Sequence, residues 1–387
     1  MLAKFFITDQ NPNLIISGVY DPSLVILSIA TAIFAAYFSL HLIDLADRTR
    51  FDSYKKLSNA TSALILSGGI WSMHFIGMLA FSLCTKISYS PGLTFFSFVP
   101  AFLACYTGMS FLRNKAASHI PHTVKLLISS VLLGAGIGTM HYTGMAAMEL
   151  SPLLRYDPLW FAASIVVAVL LSFIGLYARF HLRDHVKLLS QLQNRVICAI
   201  ILGLAVAGMH YMGMAATRFV ATSPFLSENQ DNSHLIFIAV SVSFATVLLT
   251  AIVGIINGMI RYRMLLAEKS AEESRLDAIL STAIDGIVTI DIKGTILSFN
   301  KSAESIFGWN QEEVLGKNVN MLINDDIANQ HDGFLSNSAN HELKKVIGVN
   351  REVCARHKDG HQFPIRLGLG EAKQPDAETL FVGFITD

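Results

Sequence analysis

The chain has 387 residues, of which 52% are hydrophobic and 15% charged, and its formal net charge is zero. That balance excludes an ordinary soluble domain and gives no support to nucleic-acid binding, which needs a basic surface. The four cysteines, Cys84, Cys105, Cys198 and Cys354, form no Cys-x-x-Cys pair, which argues against a disulfide framework or a zinc ribbon.

The first 20 residues lack the basic start and long apolar run of a cleaved signal. The first membrane helix is therefore expected to insert as itself. A bilayer core requires roughly 20 mainly apolar residues, and seven stretches meet that need: Pro22 to Ile43, Ala60 to Cys84, Gly92 to Leu112, Val124 to Met148, Pro158 to Ala178, Val196 to Thr217 and Leu235 to Ile256. Basic residues cluster after the odd helices: Arg48, Arg50, Lys55 and Lys56; Arg113 and Lys115; Arg179, Arg183 and Lys187; Arg261, Arg263 and Lys269. The other loops carry Lys86, Arg155 and Arg218. By the positive-inside rule this predicts a seven-transmembrane α-helical bundle with the N-terminus out and the C-terminus in.

Toward the ends of the second, fourth and sixth runs one pattern occurs three times: Met73-His74-Phe75-Ile76-Gly77-Met78, Met140-His141-Tyr142-Thr143-Gly144-Met145 and Met209-His210-Tyr211-Met212-Gly213-Met214. The copies begin 67 and then 69 residues apart, so the repeating unit is a pair of membrane helices. His at i and Met at i+4 share a helix face, and the preceding Met adds a second thioether. All three copies fall at similar depth toward the outer face. Glycines before each motif, Gly68-Gly69, Gly134/Gly136/Gly138 and Gly203/Gly208, allow close helix approach in lipid. No Asp or Glu falls within these helix interiors except near Glu149. Thioether with imidazole suits a soft or borderline ion, Cu(I) first. The bland alternative is methionine as packing and histidine satisfied by a neighbouring hydroxyl, but three identically placed ionisable residues in a bilayer favour a ligand site. The metal-site candidates are Met73, His74, Met78, Met140, His141, Met145, Met209, His210 and Met214.

From Met259 to about Ser281 the chain is charged, with Met264, Ala267, Ala271 and Ala278 at helical spacing, and is read as a helical linker continuing the seventh span. Such a helix serves equally as a transmitter of movement or as an inert spacer. Ala283 to Asp291 and Ile296 to Phe299 are read as two strands joined by an Asp-x-Lys-Gly turn. Asn300 opens a short helix, Phe307-Gly308-Trp309 closes it, and Asn310 caps the next. Farther on, Phe363, Ile365, Leu367 and Leu369 mark a half-buried strand. Gly348 to Val353 alternates likewise, but Arg351 falls on the apolar side with Ile347, Val349 and Val353. A buried arginine there needs a partner charge or ligand.

The triple Met-His-(Tyr/Phe)-x-Gly-Met pattern on alternate helices of seven resembles the MHYT family of bacterial integral-membrane sensor domains, over about residues 12 to 260. The resemblance implies a metal site, copper first, and through it a diatomic gas or redox signal. Phe75-Ile76 departs from the family's Tyr-Thr. Residues 274 to 387 resemble a PAS domain, an α+β fold with an antiparallel sheet. The stretch from His331-Asp332-Gly333-Phe334 through Val346 to Val353 and Arg356-His357-Lys358-Asp359-Gly360 is similar to the haem PAS of FixL-type oxygen sensors. That likeness implies haem b held by His331, with Arg351 as the distal donor to bound dioxygen and Leu367 and Leu369 as apolar walls. Asn337 and Lys345 depart from the family, which has a propionate-pairing basic residue and a histidine there.

The expected organisation is a membrane sensor over 1–258, a helical linker over 259–281 and a cytoplasmic PAS domain over 282–387. The implied function is a receptor in the bacterial inner membrane for a redox, metal or diatomic gas signal (O2, CO or NO). Its partners are a second copy through the PAS and linker helix, and a signalling output. No nucleotide loop, GGDEF or EAL tract or kinase signature is present, so no catalysis is expected of these residues. In the family the output is cyclic-di-GMP turnover or a histidine kinase. The competing readings are a copper-handling membrane protein, for which ligands at one depth supply no continuous path, and a PAS dimerisation scaffold without ligand.

Overall fold

The computed structural model describes residues 5–7, 15–83, 87–113, 119–150, 152–185, 190–220, 233–324, 350–372 and 379–386. Among the described residues seven helices are long and apolar enough to cross a membrane: α1 (Pro22–Asp47), α2 (Asp52–Leu79), α3 (Pro91–Arg113, broken for one residue at Ser97), α4 (His122–Ala146), α5 (Pro158–His185), α6 (Gln191–Ala216) and α7 (Ser233–Thr282). The seventh continues through the linker as a single element. The chain divides into two compact units, Met1–Tyr262 and Arg263–Asp387.

The first unit is built from three copies of strand–helix–helix–strand. β2 (Val19–Tyr20) pairs with β3 (Phe81–Ser82), β4 (Ser88–Tyr89) with β5 (Met148–Glu149), and β6 (Leu153–Tyr156) with β7 (Thr217–Val220), all antiparallel. β1 (Ile15–Ile16) adds to β7. These short pairs replace what the sequence reading had as the last turn of the second and fourth spans: α2 ends at Leu79 and α4 at Ala146, not at Cys84 and Met148. The physical reason is repeated three times. Asp21, Ser90 and Asp157 each precede a proline, which fits the first turn of a helix because its missing N–H is not needed there. Their own amides instead donate to Ala80, Ala147 and Ala216 at 2.8, 2.9 and 2.8 Å. Each repeat thereby ties the start of its odd helix to the end of its even helix. The Asp21 and Asp157 carboxylates also accept from the amides two and three residues on, at 2.8 and 3.4 Å and at 3.0 and 3.3 Å.

Along the axis the even helices contribute matching layers: Leu66, Leu133 and Leu202, then Ile70, Ile137 and Val206, with Met73, Met140 and Met209 packed in the same cluster. A β-carbon on Gly69, Gly136 or Gly203 would collide with Ala35, Ala104 or Ile33 of a neighbouring helix, so these glycines set the close approach. Gly68 faces open space. α1 runs on to Asp47, so Asp44 lies inside a helix that the sequence reading ended at Ile43.

The second unit carries a five-stranded antiparallel sheet in the order β10 (Arg351–Arg356), β11 (Gln362–Ala372), β12 (Leu380–Thr386), β8 (Gly286–Ile290), β9 (Ile296–Phe299). The β8–β9 turn is closed by Asp291, whose carboxylate accepts from the amides of Lys293 and Thr295 at 2.8 and 2.7 Å, and by Gly294 at φ 80°. Helices α8 (Lys301–Phe307) and α9 (Gln311–Val314) follow, with Asn300 and Asn310 as their N-caps. Val288, Ile296, Phe299, Phe307, Ile365 and Phe381 form the core.

Candidate functional site

His74, His141 and His210 meet on the axis of the first unit, 0%, 1% and 1% exposed. Their Nδ1 atoms form a triangle with edges of 3.1, 3.1 and 3.3 Å. A neutral imidazole presents either a lone pair or an N–H at Nδ1. Around a triangle of three such atoms at least two carry the same group, so three good hydrogen bonds cannot coexist. A cation is the partner that accepts three lone pairs at once. His74, His141 and His210 would be the residues to hold such an ion, each offering one ring nitrogen.

Each ring is seated by the next repeat. The Nε2 of His74 faces Gly144, that of His141 faces Gly213 and that of His210 faces Gly77, and a β-carbon at any of these glycines would overlap the ring. None of the three Nε2 atoms has a hydrogen-bond partner among the described residues. The motif glycine is thus the seat for another copy's histidine. The six candidate methionines are all buried, and Met212, the extra one in the third copy, is partly buried. Met73, Met140 and Met209 belong to the axial cluster beneath the rings, and Met78, Met145 and Met214 pack with Phe75 and Phe219 on the strand side. The donors that converge are the three imidazoles, a set that suits a borderline ion, while the methionines are placed as members of the two apolar clusters.

Two further rings of residues escaped the sequence reading. Six positions after the prolines stand Ser28, Ser97 and Ser164, each fully buried and each giving its hydroxyl proton to the carbonyl three residues back, at 2.7, 2.7 and 2.8 Å. Each also accepts from the preceding repeat's motif helix: Ser164 from the Tyr142 hydroxyl at 2.7 Å and Ser28 from the Tyr211 hydroxyl at 2.9 Å. Phe75 has no hydroxyl to give. There Trp71, one turn earlier, donates Nε1–H to Ser97 at 3.2 Å and to the Thr94 carbonyl at 3.0 Å. Two positions before the prolines stand Tyr20, Tyr89 and Tyr156, packed edge-on against Tyr211, Phe75 and Tyr142 at 5.7, 6.1 and 5.1 Å between centroids. Burial pushes the Tyr20 and Tyr89 phenols up to about 12, with nearby Tyr211 adding to the effect at Tyr20, so both stay protonated at physiological pH. The signal for both rings was in the sequence, as Tyr-(Asp/Ser)-Pro-x5-Ser recurring at 69 and 67 residues.

In the second unit a cavity of about 220 Å³ opens between the sheet and the segment from Val319 to Ile323, lined by Ile290, Phe307, Leu322, Arg351, Leu367 and Leu369 among others. Arg351, Leu367 and Leu369 thus share one cavity wall. Arg351 is exposed, however, and not the buried core arginine the alternation predicted, because it begins β10 opposite Leu367 where the strand is open to solvent. His331, together with Asn337 and Lys345, lies outside the described residues.

A family model described as "Bacterial signalling protein N terminal repeat", MHYT, matches residues 68–122 and 134–191, and the PAS fold matches 274–387. The chain is an MHYT repeat region followed by a PAS domain. The third motif copy lies beyond the matched MHYT residues, yet His210 closes the triangle with the other two. The chain is 34% identical over 248 residues to the bifunctional diguanylate cyclase/cyclic di-GMP phosphodiesterase MucR of Pseudomonas aeruginosa, covering 63% of this chain and 35% of that protein. It is 29% identical over 306 residues to the signaling protein YkoW of Bacillus subtilis, covering 76% and 36%. The PAS region is 36% identical over 115 residues to the sensor protein FixL of Bradyrhizobium diazoefficiens, covering 30% and 23%. A solved PAS domain of an HTR-like protein from Haloarcula marismortui matches at 24% identity and a TM-score of 0.27, covering 33% of this chain and 98% of that one. The MHYT–PAS chain spans about a third of the length of MucR and YkoW.

Proposed function

We propose that this MHYT–PAS chain is the input part of a receptor in the bacterial inner membrane, with the histidine triangle as a copper-type site on the outer side and the PAS domain in the cytoplasm. The observation that carries the reading is the Nδ1 triangle, whose mutual geometry no set of neutral imidazoles satisfies and a bound cation does. His74, His141 and His210 would hold the ion, with the six methionines as a thioether surround. A copper ion bound there would supply redox chemistry and affinity for a diatomic gas. The chain's own residues orient the rings through Gly77, Gly144 and Gly213 and exclude water by burial. The relatives named for cyclic di-GMP turnover support an output of that kind, biased through α7 and a PAS homodimer. The test is copper per purified chain. Replacing His74, His141 and His210 by alanine together is expected to abolish it, and unchanged stoichiometry would refute the ligand assignment.

A second input is proposed for the PAS domain, which would hold haem b through His331, with Arg351, Leu367 and Leu369 lining the cavity. An apolar cavity with one guanidinium on its wall favours it, because haem needs water excluded and a donor at the ligand side. Expression with haem supply should give a Soret band that shifts with oxygen or carbon monoxide and is lost in His331→Ala. A colourless folded chain would leave the PAS as a coupling module.

A further inference from the structure

At the end of the bundle away from the motifs the repeat is broken. Counted from the motif histidines, Arg195 of α6 stands level with Leu126 of α4. Counted from the prolines, Arg179 of α5 stands level with Leu112 of α3. Where α3 meets α4, Leu112 and Leu126 pack with Leu176 in an apolar cluster. Where α5 meets α6, the same two positions hold guanidiniums.

Both reach Asp44 near the end of α1. Arg195 Nε donates to Asp44 Oδ2 at 3.0 Å, and Arg179 pairs with the other carboxylate oxygen. Arg195 Nη1 also donates to His41 Nδ1 at 2.8 Å, which fixes that nitrogen as an acceptor, and its guanidinium lies 5.5 Å from the Tyr37 ring centre. The side chains of Arg179 and Arg195 are 7% and 11% exposed. They enclose a cavity of about 30 Å³ completed by Arg48, Gln191 and Asn194.

Packing alone does not call for these charges. The leucine pair shows that this scaffold closes the same joint with apolar side chains, and replacing a buried ion cluster by apolar residues is commonly neutral or stabilising. Among the described lining residues three guanidiniums meet one carboxylate, so the cavity favours an anion. The guanidinium fork matches the oxygens of a phosphate, and the amino end of α6 at Gln191 adds the positive end of its dipole. The room, about the share of one water, admits a phosphate oxygen and leaves the remainder of the ligand outside. The cleft lies between helix ends, where spans emerge from the apolar slab and basic pockets take lipid headgroups. We infer that this cleft binds the phosphate of an anionic phospholipid.

The test uses the full chain in nanodiscs of phosphatidylcholine alone or mixed with phosphatidylglycerol, with co-purified lipid quantified by mass spectrometry. The wild type is expected to retain phosphatidylglycerol above its bulk fraction. Arg48→Gln, which leaves the Asp44 pairs intact, should weaken that preference about fivefold, and the combination Asp44→Asn, Arg179→Leu, Arg195→Leu should bring it to the bulk ratio. Unchanged preference in the triple variant, or in Arg48→Gln should the triple variant not fold, overturns the inference. A thermal stabilisation of the wild type by inorganic phosphate in pure phosphatidylcholine, equal to that given by phosphatidylglycerol, assigns the cleft to soluble phosphate and overturns the lipid assignment.

Discussion

At one end of the bundle three repeats present His74, His141 and His210 to a common axis; at the other, related helices present Leu112 with Leu126 in one sector and Arg179 with Arg195 in the next. The difference shows where repetition is physically required. A site on the axis takes one equal contribution from each copy, and a change in any copy is felt by all three. A joint between two helices away from the axis answers only to its own neighbours, so one sector can stay apolar while another acquires charge.

The largest expected effect comes from moving the charge to the wrong sector. Leu126→Arg places a guanidinium at a position 2% exposed, in a joint whose partners are leucines, and should cost about 3–5 kcal/mol in unfolding free energy. A stable, monodisperse Leu126→Arg protein would show that the two sectors are not constrained differently. Next, Gly144→Ala puts a methyl group against the His74 ring and is expected to cost about 1–3 kcal/mol by overpacking. Because it displaces the ring, copper affinity should also fall, by roughly 10–100-fold. Unaltered affinity would separate the glycine seat from the site.

A smaller effect distinguishes the serine ring. Ser164→Ala removes the acceptor of the Tyr142 hydroxyl and should cost about 1 kcal/mol in thermal unfolding. Ser97→Ala should cost less, since Trp71 keeps the Thr94 carbonyl. Equal losses would mean that Trp71 is not the substitute donor. The least effect belongs to the PAS hairpin tip. There the His361 amide, and then the imidazoles of His361 and His357, hold the Asp359 carboxyl down to about 2. A depressed carboxyl pKa contributes stability above the unfolded value near 4 that is lost as pH falls through about 2. Asp359→Asn should therefore flatten the acid limb of hydrogen exchange at the β10–β11 turn, and an unchanged limb would dismiss the tip as a contributor.

Much of this was legible in the sequence, because the decisive signals were local. Apolar runs located the seven helices, the recurring Met-His-x-x-Gly-Met located the axial residues, and Asn300, Gly308 and Asn310 marked the helix boundaries of the PAS unit through cap chemistry. What escaped depends on neighbours distant in the chain. Gly144 belongs by sequence to the second motif, whereas its part in the structure is to face His74, on a different motif-bearing helix. Trp71 acquires its part only because Ser97, on another helix, stands opposite it. Arg351 was misjudged because alternation reports the side of a strand and not whether that strand's end is covered.

The seating of each histidine has a consequence for how such a molecule is assembled. His74 rests on the second copy, His141 on the third and His210 on the first, so the contacts run in one sense and return to their origin. No segment shorter than the whole circuit contains the finished triangle of histidines. A chain translated only through its second repeat would hold two rings, one without its seat, and the triangle would come into being at a single late event, when the last-made repeat docks against the first.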